Sequence, residues 1–190
     1  MKRKFKNLIS VIYSFIYFMI TKIFNWNSFK FNPIERFSPA TEVTMANNGK
    51  IYLGKRITAH SGTKLKAVSN GNLVVEDHVR FNYGCIVVSQ GSITIKRGVG
   101  FGPNVQLFDH DHDYRNAHGV GPGATKFKKG TIEIGENSWI GANTVILKNT
   151  KLGKNCVVAA GSVIGNCEYP DNTVIYQKRE TLSKSFTLIQ

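Results

Sequence analysis

Acidic residues are scarce in this chain. Asp and Glu number 12 against 25 Lys and Arg, for a formal net charge of +13. A surplus of that size predicts anionic company: nucleic acid, acidic lipid or a phosphorylated ligand. Nucleic acid is set aside, because no nucleic-acid motif is present and the lysines do not interleave with aromatics as stacking platforms do. Proline is also rare, with 5 in 190 residues, which excludes a collagen-like or Pro/Gly-rich low-complexity chain despite 18 glycines. The three cysteines, Cys85, Cys156 and Cys167, have neither metal-like nor redox-like spacing. So sparse and odd a set suits a reducing cytoplasm better than secretion. No uninterrupted apolar run reaches the roughly 20 residues of a membrane span. What remains is enough for one domain and an appendage. Hydrophobic residues make up 42%, which excludes a wholly disordered chain. At this length roughly 70% of the unfolded surface can be buried without disulfide staples.

The charge is unevenly placed. Residues 1–34 hold Lys2, Arg3, Lys4, Lys6, Lys22 and Lys30 and no acid. Between the basic ends runs the apolar stretch Leu8 to Ile20, with no small-x-small cleavage site after it. Asn7, Ser10, Ser14 and Thr21 are three, four or seven apart, so a helix gathers them on one side. This is the pattern of an interfacial helix on an anionic leaflet, with Trp26 at headgroup level. The competing readings are a helix packed on its own domain or on a sister subunit, and a true span. The interfacial reading predicts a cytoplasmic protein held peripherally on the inner face of the membrane through residues 1–30.

From residue 53 onward aliphatic residues fall every six places. The cleanest run is Ile134, Ile140, Ile146, Leu152, Val158 and Ile164, mostly followed by Gly or Ala, with Ser138, Thr144, Thr150, Cys156 and Ser162 four places on. Upstream the same unit gives Leu53, Ala59 and Leu65, then Val75, Phe81 and Val87, then Ile95, Phe101 and Leu107. A period of six is neither helical nor simple strand alternation. It is explained if each unit is one short strand plus a corner and three units close a triangular coil. Aliphatic and small residues then point inward, and glycine serves at the corner through its tolerance of positive φ and crowding. Coils stacked about 4.8 Å apart by parallel ladders form a prism whose two ends need caps. The predicted organisation is a basic amphipathic segment over 1–34, an N-terminal cap over 35–52, about five coils over 53–166 with an inserted loop at 108–133, and a tail over 167–190. Cys85 and Cys156 fall at inward positions and read as core filler.

These units resemble the hexapeptide-repeat family over roughly residues 50–175, which implies an all-β, left-handed parallel β-helix. The handedness comes from the resemblance alone. Acyltransferases dominate that family, so the resemblance implies transfer of an acetyl group from acetyl-CoA, without a required metal, by a homotrimer with sites between prisms. The repeat breaks at Pro103-Asn104-Val105 followed by Asp109-His110-Asp111-His112-Asp113-Tyr114, and long insertions in regular solenoids usually serve function. A histidine suits removal of a proton from a sugar hydroxyl, because its free base exists near pH 7, and a flanking carboxylate can orient its ring. Pro-Asn-Val before a histidine-bearing loop is similar to the galactoside, maltose and capsular-sugar O-acetyltransferases. There the histidine nine places after the proline lands on His112. His112-Asp113-Tyr114 is similar to the His-Asp-Tyr of exopolysaccharide acetyltransferases. His112 is therefore the first candidate for the base and His110 the second.

The resemblance extends to other residues. Phe81-Asn82-Tyr83-Gly84 is similar to a stretch that binds the acceptor, which places Asn82, Tyr83 and, from the loop, Asp111 on the acceptor side; a corner asparagine is the alternative for Asn82. Trp139 is predicted at an outward position, lining the acceptor cleft or covering a subunit contact. Ala142 and Ala160 match positions that contact coenzyme A. Two departures stand out: Gly165-Asn166 replaces a Thr-Lys-type pair, and no Gly-Pro-Ala-type turn follows. Lys178 and Arg179, or loop residues Lys126, Lys128 and Lys129, are the candidates to meet the coenzyme's phosphates.

The acceptor is thus read as a sugar hydroxyl of a glycan or glycolipid, with N-acetylation left open. Two other classes compete. A zinc hydratase like the γ-class carbonic anhydrases needs three histidines, from His78, His110 or His112, and His118. A non-catalytic β-helix used in assembly leaves the His/Asp cluster unexplained.

Overall fold

The computed structural model describes residues 2–113, 126–178 and 180. A helix, Lys2–Phe24, leads into three parallel sheets that form the faces of a prism. The first sheet stacks Phe29–Lys30, Lys50–Leu53, Asn72–Val75, Ser92–Ile95, Thr131–Ile134, Thr150–Leu152 and Cys167–Tyr169. The second stacks Arg36–Phe37, Thr58–Ala59, Arg80–Phe81, Gly100–Phe101, Trp139–Ile140, Val157–Val158 and Val174–Ile175. The third stacks Glu42–Ala46, Lys64–Val68, Ile86–Ser89, Gln106–Phe108, Val145–Leu147 and Val163–Ile164. The chain visits the sheets in turn, so every ladder joins one coil to the next.

The hexad reading places the core correctly. All fifteen aliphatic or aromatic residues of the five triplets are at most 5% exposed, as are Ser138, Thr144, Thr150, Cys156 and Ser162. Inward hydroxyls do not waste their polarity. Ser138 donates to Gly153 O and accepts from Cys156 N. Cys85 and Cys156 are buried and unpaired, and burial pushes the Cys85 thiol up from its usual range.

The column is longer than the five coils of the repeat. Six complete coils are followed by two faces of a seventh. Residues 35–52 are not only a cap: they carry the first coil into the second, and the tail begins by extending two ladders through Cys167–Tyr169 and Val174–Ile175. The first coil is built on Phe29, Phe37 and Val43, spaced eight and six apart, so its hexad signature is hidden.

The corners also divide their labour differently. Positive φ belongs mainly to asparagine: Asn137, Asn143, Asn149, Asn155, Asn166 and Asn172 lie between 54° and 60°. Asparagine reaches this region at low cost. The glycine after the aliphatic residue serves close approach instead. A Cβ on Gly135 would sit 2.2 Å from Gly153 O.

The helix closes the top of the prism. An uncovered first coil would present unpaired edge groups. Ser14 Oγ accepts from Phe37 N at 2.8 Å, Tyr17 Oη accepts from Val43 N at 3.3 Å, and Asn25 O accepts from Phe29 N at 2.9 Å. Phe18 is buried among Phe29, Phe31 and Phe37, with ring centroids 4.8–5.4 Å away. The polar stripe seen in the sequence therefore faces the protein. At the other end Gln177 Oε1 accepts from Val163 N and its Nε2 donates to Val163 O, closing the third sheet.

Candidate active site

The insertion leaves the prism at the corner between the third and first sheets. His110–His112 pairs antiparallel with Phe127–Lys129, placing His110 opposite Lys129, Asp111 opposite Lys128 and His112 opposite Phe127. Gly130 N donates to Asp109 O at 2.7 Å, so the excursion returns to the point where it left. Within a strand, residues two apart share a face. His110 and His112 accordingly both meet the Phe127 ring, at 5.6 Å and 4.6 Å between centroids.

Asp109 anchors this hairpin and is fully buried. Its Oδ2 accepts from Ser89 Oγ at 2.7 Å and Gly91 N at 3.0 Å, and its Oδ1 accepts from Gln90 N at 2.8 Å. The same Oδ1 lies 3.1 Å from His110 Nδ1. A carboxylate facing Nδ1 calls for the proton there, which leaves Nε2 as the lone-pair nitrogen. His110 is mostly buried at its side chain, whereas His112 is exposed. The geometry thus pairs the second candidate with an orienting carboxylate. Asp109 and the Ser89-Gln90-Gly91 turn that holds it were not singled out as site residues from sequence. The signal was Asp109 standing directly before His110, and a turn one coil earlier.

Around the hairpin, Asp111 Oδ2 meets Lys148 Nζ at 2.7 Å and Asp113 Oδ1 meets Lys128 Nζ at 3.3 Å. Lys129 donates to Ser69 O. Two of the loop lysines therefore have partners in the chain, and Lys126 is exposed.

The remaining predicted residues lie elsewhere. Asn82 and Tyr83, Ala142 and Ala160 stand at the corner between the second and third sheets, one above another. Asn104 N donates to Tyr83 O, Asn143 N to Pro103 O, and Gly161 N to Ala142 O, which ties the column together. Asn82 Oδ1 accepts from Tyr83 N at 2.9 Å, so its carbonyl fixes its own turn. Tyr83 stacks on His60 at 4.8 Å. A single chain therefore places Asn82 and Tyr83, with Ala142 and Ala160, at the edge of the third sheet opposite His110, His112 and the predicted acceptor-side Asp111, which stays between the two histidines on the hairpin. Trp139 is an exposed residue of the second sheet and lies over Gly100, where a Cβ would come within 2.8 Å of its ring. Lys178 is exposed beyond the last strand, while Arg179 lies outside the described residues, as do Tyr114 and His118. His78 stands at the corner between the first and second sheets, away from the hairpin. Among the described residues no three His, Cys, Asp or Glu side chains converge as a metal site.

A parallel β-helix with a histidine–carboxylate pair on a corner hairpin defines the class of molecule. Residues 131–166 match the bacterial transferase hexapeptide (six repeats) family model. The chain is 30% identical over 135 residues, 68% of each protein, to WbbJ of Escherichia coli (strain K12), named as a lipopolysaccharide biosynthesis O-acetyl transferase. It is 35% identical over 99 residues to a galactoside O-acetyltransferase of Lactococcus lactis subsp. lactis (strain IL1403), spanning 50% of this chain and 44% of that one. A solved structure of AntD, an N-acyltransferase from Bacillus cereus, superposes with a TM-score of 0.68 at 16% identity over 84% of this chain and 83% of that one, a likeness of fold. This chain belongs to the hexapeptide-repeat family of acyltransferases, whose fold is the left-handed parallel β-helix.

Proposed function

We propose that this acyltransferase moves an acetyl group from acetyl-CoA to a hydroxyl of a sugar in a glycan or glycolipid, with His110 as general base. The observation that carries the reading is the buried Asp109 fixing His110 Nδ1 at 3.1 Å. Its Nε2 takes the proton of the sugar hydroxyl as the oxygen attacks the thioester carbonyl. The tetrahedral intermediate collapses, the carbon–sulfur bond breaks, and the imidazolium returns its proton to the departing thiolate. Asp109 holds the tautomer and offsets the imidazolium charge. The galactoside and lipopolysaccharide names of the relatives support the sugar and the hydroxyl.

Acetyl-CoA enters as a substrate. The small outward residues Ala142 and Ala160 leave room for its pantetheine arm along the corner column, and Lys178 is available to its phosphates. Because that column and the hairpin stand at opposite edges of one sheet, a complete site requires the hairpin of one copy to face the column of the next. This favours a homotrimer, with Asn82 and Trp139 on the acceptor side. His112 shares the strand face of His110 and contacts Phe127, which favours a role against the acceptor.

The test is acetyl-dependent release of coenzyme A thiol with sugar acceptors. His110→Ala is expected to lose about 100-fold or more in kcat and the acidic limb of the pH–rate profile, while acetyl-CoA still raises the melting temperature. His112→Asn is expected to raise KM for the acceptor more than it lowers kcat. The reverse ranking would move the base to His112, and full activity in both variants would end the assignment.

A further inference from the structure

The helix that closes the prism faces the wrong way for a soluble protein. On its polar side Ser14 and Tyr17 bond the first coil, and Leu8, Ile12, Phe15, Ile16, Met19 and Ile20 point outward, each more than 40% exposed. These positions recur at three and four, so they form one continuous apolar stripe. Asn7–Phe24 is also long and apolar enough to cross a membrane. Trp26 stands exposed at its end with Lys22 Nζ 4.8 Å from its ring centroid.

Beneath the first half of the helix lies a basic cleft. Two adjoining cavities of about 310 and 420 Å³ share Arg36, Thr58 and Arg80. Asn7, Ser10 and Val11 of the helix wall them on one side, and Arg56 and His78 close the other. Arg36 and Arg80 sit two rungs apart on the outer face of the second sheet, either side of Thr58. Arg36 Nη2 donates to Thr58 Oγ1 at 3.0 Å. Among the described residues none of these three arginines is in an ion pair. The neighbouring Glu35 is buried, and desolvation pushes its carboxyl up to about 8, so it offers little negative charge near pH 7. Asp77 spends its carboxylate on Lys55 N, in the adjoining groove.

We propose that the helix lays its apolar stripe in an anionic lipid leaflet and that Arg36, Arg56 and Arg80 receive headgroup phosphates in the cleft beneath it. Guanidinium forks match phosphate oxygens bidentately. A helix is about 10–12 Å across, and an interfacial one buries its apolar face about 5–10 Å into the headgroup and acyl boundary, so the cleft under it lies at headgroup depth. A second copy is the poorer occupant. It would bring two basic rims together, in a chain of net charge +13.

The experiment is co-sedimentation of the full chain with vesicles of phosphatidylcholine alone or mixed with phosphatidylglycerol. Binding is expected on the anionic vesicles and at least about 10-fold weaker on the neutral ones. The pair Arg56→Gln and Arg80→Gln is expected to weaken anionic-vesicle binding about 30-fold, from about 1 kcal/mol for each charge near the surface. The pair Lys151→Gln and Lys154→Gln, at the far end of the prism, removes the same formal charge and is expected to change binding less than about 2-fold. Ile12→Glu with Ile16→Glu, both at solvent-facing positions, is expected to abolish binding to both vesicle types with an unchanged circular dichroism spectrum. Equal losses from the arginine and lysine pairs would overturn the cleft. So would a melting temperature raised by inorganic phosphate in a protein that binds no vesicles. An isoleucine pair that alters the mass of the assembly but not vesicle binding would assign the stripe to a second copy instead.

Discussion

Asp109 accepts from four donors with two oxygens, and each has a different consequence for replacement. An asparagine keeps the shape but turns one oxygen into an amide that must face Gln90 N or Gly91 N, both donors. A buried donor left without an acceptor costs about 1–3 kcal/mol. Asp109→Asn is therefore expected to lower stability by that amount in thermal unfolding. It is also expected to lower kcat by releasing the His110 tautomer, while KM for acetyl-CoA is held. Equal damage to kcat in Ser89→Ala, which removes one donor and leaves the carboxylate, would argue that packing is responsible. Glu35 gives a second residue-scale expectation. Its carboxyl rises from 4.5 to about 8 chiefly because burial penalises the charge, against the opposing hydrogen bond from Ile57 N. The native state keeps a proton that the unfolded chain releases above 4.5. This stabilising contribution is complete below pH 4.5, declines from there to about pH 8 by up to about 1.4 kcal/mol per unit, and is level above. Glu35→Gln removes that decline, so its melting temperature should gain on the parent between pH 5 and 8. A constant gap over that range would contradict the assignment.

At the scale of the coil, glycine and asparagine positions differ in kind. A Cβ on Gly141 would meet Ala160 N at 2.5 Å and Val158 O at 2.8 Å, both backbone. Gly141→Ala is expected to cost about 1–3 kcal/mol, the range of overpacking. Asn155 sits at φ 55° and its amide donates to Asn172 Oδ1 at 3.0 Å. Asn155→Ala loses both the favoured left-handed backbone and the bond, whereas Asn155→Gly loses the bond and keeps the backbone. Urea melts should rank the three variants in that order of damage. The same distinction explains what could be read from the sequence. Inward residues repeat every six places because each coil repeats the same three-walled contact, so the core from Leu53 to Ile164 was legible. The first coil was not, because its aromatic core pairs with Phe18 of the helix rather than with another hexad. The histidine cluster was legible as an interruption. Its anchoring was not, because Ser89 and Gln90 reach Asp109 only through the stacking of coils. The helix showed its two faces but not which of them would be covered, since that depended on unpaired edge groups the sequence does not display.

The whole molecule is a one-dimensional stack in which each coil leans on its neighbours. Deleting residues 1–27 should therefore strip hydrogen-exchange protection from Phe29–Lys30, Arg36–Phe37 and Glu42–Ala46 and leave Thr150–Leu152 protected. Uniform loss along the prism would mean that the column is more cooperative than a nearest-neighbour stack. The same architecture gives the hairpin unusual freedom. Ser92–Ile95 pairs with Thr131–Ile134 in the same register sense as it does with Asn72–Val75, although nearly twice as much chain intervenes. One backbone bond, from Gly130 N to Asp109 O, seals the base of the excursion. Lengthening or replacing what lies beyond it leaves the ladders of the three prism faces in step. In engineering terms the excursion is a plug in a fixed socket: sequence can be inserted or exchanged there while the column goes on folding as before.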